Sequence, residues 1–392
     1  MKMNVIAVAV AAALTAPMVS AADVTMFGDA RVRYTSVGAD DGTNTSASAQ
    51  TTSRVRLGFK AKEGNTMVTG RLKMTNGVHG DAGADNVDSD GDVDVDYGYM
   101  STKVAGMFDV AGGLMVANWG NKLLAWDARP NRVMISTDMI NNVWMAVTFD
   151  KMAENYGGTP DASGDTDGDN DNSSMKLLVK AKVGAGTVGV LYAMDDNNTG
   201  AKDAAGNVMD VYYQGKVGPV ALAFEYADLS GDAYEQVNSK GKKVNPNAMM
   251  LAGTMQAGPA SVTGMYVSTA HGYGTSGNTK YLTPFSTVGT SQDTGLINVG
   301  ANADTTQTVF GVVAAMPVSD TITVQGGYGM GTEEYDGIAG SKATDISIID
   351  LQATYAVDKA TSIRASYGMV TIAPGAAGAD NTDINMMGLR ME

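Results

Sequence analysis

The feature that most constrains this chain is an alternation of apolar with polar or small residues, repeated along nearly all of it. Residues 53–61 read SRVRLGFKA and residues 175–183 read MKLLVKAKV. Successive side chains of a β-strand point to opposite faces, so each such segment has one apolar face and one polar or small face. Segments of about ten residues with this pattern have the length that a tilted strand needs to cross a bilayer.

Tight links join these segments in pairs, and long polar stretches separate the pairs. The links include Glu63-Gly64-Asn65, Gly218-Pro219 and Asp358-Lys359, which suit short hairpin turns. Short turns alternating with long loops are typical of an outer-membrane barrel, whose turns face the periplasm. One strand near 24–34, eight hairpins and a final strand predict 18 strands, and the count is 16 without the weakest pair, 130–150. The predicted pairs centre near 51–75, 95–117, 130–150, 174–195, 208–228, 247–269, 305–331 and 344–370, and the final strand near 381–391.

The predicted fold is therefore an all-β, transmembrane, antiparallel up-and-down barrel. The soluble alternative is a secreted sandwich or solenoid, whose strands usually have about five or six residues. The predicted strands are longer. Four outward tyrosines also sit toward segment ends, as in an interfacial aromatic girdle: Tyr34, Tyr226, Tyr328 and Tyr355. The chain has no Cys, so disulfides play no part.

The first residues have the pattern of a secretory signal. Lys2 precedes an apolar run over 5–16, and Val19-Ser20-Ala21 is a small-residue cleavage site. The run is too short for a membrane-spanning helix, and no later segment approaches 18 unbroken apolar residues. We predict a cleaved signal peptide over 1–21 and a single barrel over 22–392. The net charge of −15 argues against nucleic-acid partners.

Cations cluster on the inward face of the predicted barrel. If the apolar face meets lipid, the other face lines a water-filled lumen, and it carries charged and small residues rather than Leu or Ile. Closure of the barrel places the last strand beside the first, so cations near both termini form one basic wall. The alternative is that these are scattered surface charges. The predicted wall consists of Arg31, Arg33, Arg54, Arg56, Lys60, Arg71, Lys73, Arg364 and Arg390.

One loop, near 118–131, is too apolar for exposure to water. It holds two of the three tryptophans and two leucines. We predict that it folds into the barrel and narrows the pore, with Asp127 as the acid that faces the basic wall. Opposed charges across a constriction make a transverse field. The alternative is an external loop that caps a neighbouring subunit. The predicted constriction residues are Trp119, Lys122, Trp126, Asp127 and Arg129.

Two loops are strongly acidic. Carboxylates at every second position can converge on Ca²⁺. The second loop departs from a calcium-binding EF-hand loop at Asn170 and at Lys176, where Gly and Glu are expected. A solvated loop that collects divalent cations loosely is therefore the favoured interpretation, and no cofactor is required. The candidate calcium ligands are Asp165, Asp167, Asp169, Asp171, Asp90, Asp92 and Asp94.

The order and spacing of four segments resemble the Gram-negative general porin family over essentially the whole mature chain. They read ADVTMFG at 22–28, SRVRLGFK at 53–60, NRVMIS at 131–136 and GLR at 388–390. The resemblance implies homotrimers, a third loop inside the pore, and passive diffusion.

By motif, Arg56 and Lys60 match wall positions of that family's second strand. Two features depart from the family, which usually has 16 strands and ends in Phe. This chain ends Arg390-Met391-Glu392, and 18 strands is nearer to the epsilon-proteobacterial major porins or to substrate-specific channels.

We therefore predict a Gram-negative outer-membrane porin for ions and small hydrophilic solutes, in contact with outer-membrane lipid and lipopolysaccharide. The alternatives are a channel selective for sugars or organic anions, a barrel enzyme, and a surface adhesin. His79 and His271 lie in predicted loops without a triad pattern, so we expect no enzyme. The loop carboxylates favour cations and the basic wall favours anions, and we expect a preference for cations.

Overall fold

The computed structural model of the chain is built almost wholly from β-strands. It describes residues 23–75, 78–80, 93–153, 172–198, 203–273, 303–335, 343–374 and 381–392. The predicted signal peptide over 1–21 lies outside these residues. Within the described ranges, no helix is long and apolar enough to cross a membrane.

The strands follow one another around a closed antiparallel sheet, in which β23 pairs with β1. They are β1 (Asp23–Asp40), β2 (Thr45–Glu63), β3 (Thr66–Thr75), β4 (Val78–Gly80), β5 (Asp94–Val104), β6 (Phe108–Leu114), β7 (Ala117–Trp119), β8 (Ala125–Ala128), β9 (Asn131–Thr137), β10 (Val143–Ala153), β11 (Asn172–Val183), β12 (Gly186–Asn198), β13 (Asp203–Val217), β14 (Val220–Ser230), β15 (Gln236–Val237), β16 (Lys243–Val244), β17 (Asn247–Ala257), β18 (Ala260–Ala270), β19 (Thr305–Pro317), β20 (Ile322–Tyr335), β21 (Thr344–Ala356), β22 (Ser362–Ala373) and β23 (Thr382–Met391).

Eighteen of these strands form the barrel wall. β4 continues β3 along β2, and β7–β8 and β15–β16 are two small separate hairpins. The predicted barrel and the count of 18 strands are confirmed. The pair 130–150, on which the count of 16 depended, is present as β9 and β10.

Short turns lie at one end of the barrel. Val217 pairs with Val220 across the β13–β14 link, and the intervening Gly218 has φ +59°. Such a left-handed backbone favours glycine and allows a two-residue turn. Asp23 pairs with Lys62 beside the β2–β3 turn, and Glu392 exchanges backbone hydrogen bonds with Ser362. Both described ends of the chain therefore lie at this short-turn end.

The outer face of the wall is apolar and exposed. Tyr34, Tyr328 and Tyr355 are 43 %, 51 % and 46 % exposed, so these three face outward as predicted. Tyr328, however, lies in the middle of β20 rather than toward its end. Alternate residues point inward and are shielded. A barrel wall that spans a membrane presents a band of apolar side chains to lipid, and this outer face has that character.

The inner face is not uniformly polar, and the prediction of charged and small residues was wrong for one sector. Ile346 and Ile348 of β21 are buried on the inner side, together with Val309 of β19 and Val370 of β22. Leu123, from the segment between β6 and β9, packs into this cluster. The contact with Leu123 removes apolar surface from water, which stabilises these residues inside the barrel.

Candidate pore lining and constriction

Cross-strand pairing brings the arginines of the predicted wall into rows. Arg33 of β1 lies opposite Arg390 of β23, and Arg390 lies opposite Arg364 of β22. In the next row, Arg31 lies opposite Arg54 of β2. Directly opposed side chains have Cβ atoms about 5 Å apart, so the cations of each row are immediate neighbours. Arg31 and Arg33 are only 7 % and 5 % exposed, which raises the cost of placing like charges together.

Asp29 neutralises part of this charge from within the same wall. Its carboxylate lies 2.8 Å from Arg56 and 3.6 Å from Arg54. Asp29 is on β1, two residues from Arg31 and on the same face, because strand side chains alternate. Arg390 also forms an ion pair with Glu392 at the end of β23.

Asp96 of β5 is the second acidic centre of the wall. Its carboxylate accepts a hydrogen bond from Arg71 and lies 3.7 Å from Arg56 and 3.3 Å from Arg129. The Arg129 Nε also donates to the Asp96 carbonyl oxygen at 3.0 Å. A cation of the 118–131 loop is thereby fixed beside the basic wall.

The two remaining wall residues, Lys73 and Lys60, lie toward opposite ends of the barrel. Lys73 pairs with Asp94 at 3.2 Å, and Lys60 is exposed close to the short-turn end. The sequence placed the acidic partner on the opposite side, at Asp127. The described partners are instead on β1 and β5, beside the cations; the side chains of Trp126 and Asp127 lie outside the described part of the structure.

The segment between β6 and β9 enters the barrel and is anchored on β13. Trp119 is 3 % exposed, and its Nε1 donates to Asp210 at 2.7 Å. Its ring meets the ring of Tyr212 edge-on, with centroids 5.2 Å apart. The Lys180 ammonium of β11 lies 4.9 Å from the Trp119 ring. A buried indole with a satisfied N–H holds this turn of the loop firmly.

A second anchor lies on β14, at the fully buried Glu225. Its carboxylate accepts hydrogen bonds from the backbone N–H of Asn121 and, at 3.2 Å, of Leu124. Tyr273, which follows β18, donates its hydroxyl to the Leu123 carbonyl at 3.0 Å. Burial raises the pKa of Tyr273, so the phenol stays protonated and remains a donor. Lys122, at the tip, is exposed and has a left-handed backbone.

The loop therefore spans the lumen. Its Arg129 end is held at β5, whereas Trp119 is held at β13. The strand order places β13 nine strands from β1 in either direction around the barrel. The anchored part of the loop thus lies on the wall diametrically opposite the arginine rows.

Another charged cluster was not singled out from the sequence. Arg132 forms a bidentate pair with the buried Asp150, at 2.6 and 2.7 Å, and Lys176 binds the same carboxylate at 2.7 Å. Their inward register was visible in the alternation, but nothing in the sequence indicated which inward charges would meet. Asp210 and Glu225 were missed for the same reason.

The calcium prediction falls mostly outside the described residues. Only Asp94 of the seven candidate ligands is described, and it pairs with Lys73. Among the residues that can be assessed, no group of three potential ligands converges on a metal position. Calcium binding by the acidic loops therefore stays a prediction.

A closed barrel with an apolar outer face, a charged lumen and an inward loop defines an outer-membrane channel. The chain belongs to the Gram-negative porin family, whose model matches residues 7–373. No curated protein matches the chain by sequence. The family places it in the outer membrane and implies the passage of small solutes; its members are known as channels rather than enzymes.

Solved porins of Pseudomonas aeruginosa share the fold. OccK8 (OprE) superposes with a TM-score of 0.59 at 11 % identity, covering 94 % of this chain and 98 % of that one. OccK9 (OpdG) gives 0.58 at 12 % identity, covering 94 % and 97 %. OccK2 (OpdF), solved in complex with glucuronate, gives 0.56 at 10 % identity with the same coverage. At these identities the likeness concerns the fold alone.

Proposed function

We propose that the channel passes small hydrophilic solutes and ions by passive diffusion, with a preference for anions at its narrowest level. The observation that carries the proposal is the row formed by Arg364, Arg390 and Arg33 on adjacent strands. The row of Arg31 and Arg54 lies directly beside it. Fixed guanidinium groups in a narrow lumen lower the energy of a passing anion and raise that of a cation.

The position of the inward loop supports this proposal. The loop is anchored on the wall opposite the arginine rows, so it brings solutes close to them. Acids do lie nearby, but Asp29 and Asp96 are already engaged by arginines. Engaged carboxylates offer less to a passing cation than free carboxylates do. The cation preference expected from the loop carboxylates concerns the outer mouth, and the narrowest level has the larger effect on permeation.

The test is a reversal potential in a salt gradient across a planar bilayer. We expect anion preference for the native protein and a shift toward cation preference in Arg33→Gln/Arg390→Gln, which removes two neighbouring members of one row. A matched control removes two positive charges from an exposed loop, in Lys240→Gln/Lys242→Gln, and we expect a much smaller shift. Equal shifts in the two double variants would contradict the proposal that the arginine rows set selectivity.

A second candidate is selectivity for small carboxylates. Planar guanidinium groups match carboxylates with two parallel hydrogen bonds, and OccK2 was solved with glucuronate. If this chain selects such solutes, glucuronate will reduce its ion current in a concentration-dependent manner, whereas glucose at equal concentration will not. Equal effects of the two sugars would leave general diffusion as the function.

The assembly and processing of the chain are also proposals. The family resemblance supports a homotrimer in contact with lipopolysaccharide, and the sequence supports cleavage after Ala21. N-terminal sequencing of protein purified from membranes tests the cleavage site. Native mass spectrometry tests the trimer, and a monomer mass would count against it.

A further inference from the structure

A cavity of about 220 Å³ lies between the inward loop and the barrel wall. Trp119 of β7 and Ala128 of β8 line it from the loop, and residues of β9 to β14 line it from the wall. These strands form the side on which the loop is anchored, away from the arginine rows. The cavity is therefore separate from the part of the lumen that carries the proposed anion preference.

The part of the cavity nearer the short-turn end is apolar. Leu178 of β11 lies opposite Leu191 of β12, and both line the cavity. They are only 7 % and 3 % exposed. An apolar group placed against them is removed from water, which favours its binding.

The part of the cavity nearer the long-loop end is charged. Asp150, Ser174 and Asp195 lie opposite one another on β10, β11 and β12. Arg132 and Lys176 both bind the Asp150 carboxylate, so this triad has one positive charge in excess. The Lys176 ammonium has three donors, and its contact with Asp150 uses one of them. The triad therefore offers donors to a further anionic group.

Asp195 supplies the opposite charge in the same part of the cavity. Its carboxylate accepts hydrogen bonds from the hydroxyls of Ser174 and Tyr234. Both of these partners are neutral, so they do not compensate its negative charge. A carboxylate has about four lone-pair sites, so Asp195 can accept further hydrogen bonds from a cationic group.

The positive and negative centres are close enough for one small molecule to reach both. Lys176 lies two residues from Ser174 on the same face of β11, which places their Cα atoms about 7 Å apart, and Asp195 is bonded to Ser174. The amino nitrogen and the carboxylate carbon of an α-amino acid are about 2.5 Å apart. A charge-assisted hydrogen bond adds about 2.8 Å at each end. One α-amino acid can therefore contact Lys176 and Asp195 together.

We propose that this cavity binds a free α-amino acid with an apolar side chain, of the class of leucine. The carboxylate of the solute accepts hydrogen bonds from Lys176 and Arg132, and its ammonium donates to Asp195. Its side chain lies against Leu178 and Leu191. The site adds a zwitterionic class of solute to the anions favoured at the arginine rows, and it does not rest on that preference.

The test is isothermal titration calorimetry of the purified protein in detergent micelles at neutral pH, with leucine as the probe. We expect saturable binding of one molecule per chain. Isocaproate lacks the ammonium group, isoamylamine lacks the carboxylate, and glycine lacks the apolar side chain. Each of the three should bind at least about tenfold more weakly than leucine, because each loses one of the three sets of contacts.

Variants assign the binding to this cavity. Asp195→Asn keeps the size of the side chain and removes its charge, so leucine should bind at least about tenfold more weakly. Asp196→Asn is the matched control, because Asp196 is exposed on the opposite face of β12, and we expect a change within a factor of two. Lys176→Gln removes the excess positive charge and should also weaken binding at least about tenfold. Conductance steps and gel mobility show that each variant is folded.

Several results would overturn the proposal. They are the absence of saturable leucine binding to the native protein, isocaproate binding as tight as that of leucine, and unchanged leucine binding in Asp195→Asn. Loss of leucine binding in Arg33→Gln/Arg390→Gln would place the solute at the arginine rows and would overturn it as well. Reversal potentials measure the anion preference separately, so failure of the amino-acid site is distinguishable from failure of the proposed function.

Discussion

Replacement of Trp119 by Phe tests the anchoring of the inward loop at one atom. Phenylalanine keeps an aromatic ring in the buried site beside Tyr212, so most of the packing is retained. It removes the Nε1 donor that lies 2.7 Å from the Asp210 Oδ1 atom. Asp210 is fully buried, so water cannot readily replace the lost donor.

The magnitude follows from the loss of a donor to a buried acceptor. A buried acceptor left without its hydrogen-bond partner costs about 1–3 kcal/mol. One factor of ten in an equilibrium corresponds to about 1.4 kcal/mol, so the population with a detached loop should rise roughly 5- to 150-fold. The remaining anchors at Glu225 and Tyr273 are unchanged in this variant.

Single-channel recording provides the assay, because a loop that leaves the wall alters the current. We expect transient current changes to become at least about fivefold more frequent in Trp119→Phe. Trp144→Phe is the matched control: its ring lies 5.2 Å from the same Lys180 ammonium, and it lies on the wall rather than on the loop. If Trp119→Phe shows current changes no more often than the native channel, the anchoring by Asp210 is refuted. If both variants show them equally often, the effect arises from the contact with Lys180 instead.

Three further predictions concern the loop, the wall and a turn. Tyr273→Phe removes the 3.0 Å hydrogen bond to the Leu123 carbonyl, worth about 0.5–1.5 kcal/mol, so current changes should become roughly 2- to 12-fold more frequent. Gly189→Ala places a methyl group against the Tyr212 ring and should lower the thermal unfolding temperature seen by gel mobility, since overpacking costs about 1–3 kcal/mol. Backbone N–H groups of the β21–β22 turn hold the pKa of Asp358 below its usual value. The ionised Asp358 carboxylate therefore stabilises the turn at a pH above the unfolded pKa, and this stabilisation is lost as the pH falls through the folded pKa. Hydrogen exchange of residues 357–361, corrected for intrinsic rates, should therefore accelerate in acid, and Asp358→Ala should remove that acceleration.

Each of these predictions has a result that would contradict it. Gly253→Ala is the control for Gly189→Ala, because a methyl group at position 253 meets its neighbours only at 3.4 Å. Equal lowering of the unfolding temperature in both variants would show that the contact with Tyr212 is not the cause. More frequent current changes in Tyr273→Phe than in Trp119→Phe would contradict the prediction that the Trp119 hydrogen bond is the stronger of the two anchors. Exchange in the turn that is the same in acid and at neutral pH would show that the Asp358 carboxylate does not stabilise it.

The fold was predictable because strand periodicity and turn chemistry are local signals. Alternation located the eight hairpins, and links such as Gly218-Pro219 located the turns. The register of each hairpin follows from its turn. Closure of an even-stranded barrel also predicts that β23 lies beside β1, but the pairing of Arg390 with Arg33 depends on the stagger of the strands and is seen only in the structure.

The partners of the inward charges were not predictable to the same degree. Asp96 meets Arg129 across a loop of unknown path, and Glu225 meets backbone N–H groups rather than a cation. Such contacts depend on how far a loop reaches into the lumen, which alternation does not report. The apolar inner sector around Ile348 was missed for a related reason, since its burial depends on Leu123 arriving from the loop.

The most direct test of the central claim is single-channel recording of the purified protein in a planar bilayer. A closed barrel whose charged lumen is narrowed by a loop held on one side should give discrete conductance steps, one for each inserted pore. A protein that inserts in folded form but remains electrically silent would contradict the account, because its lumen would then be closed.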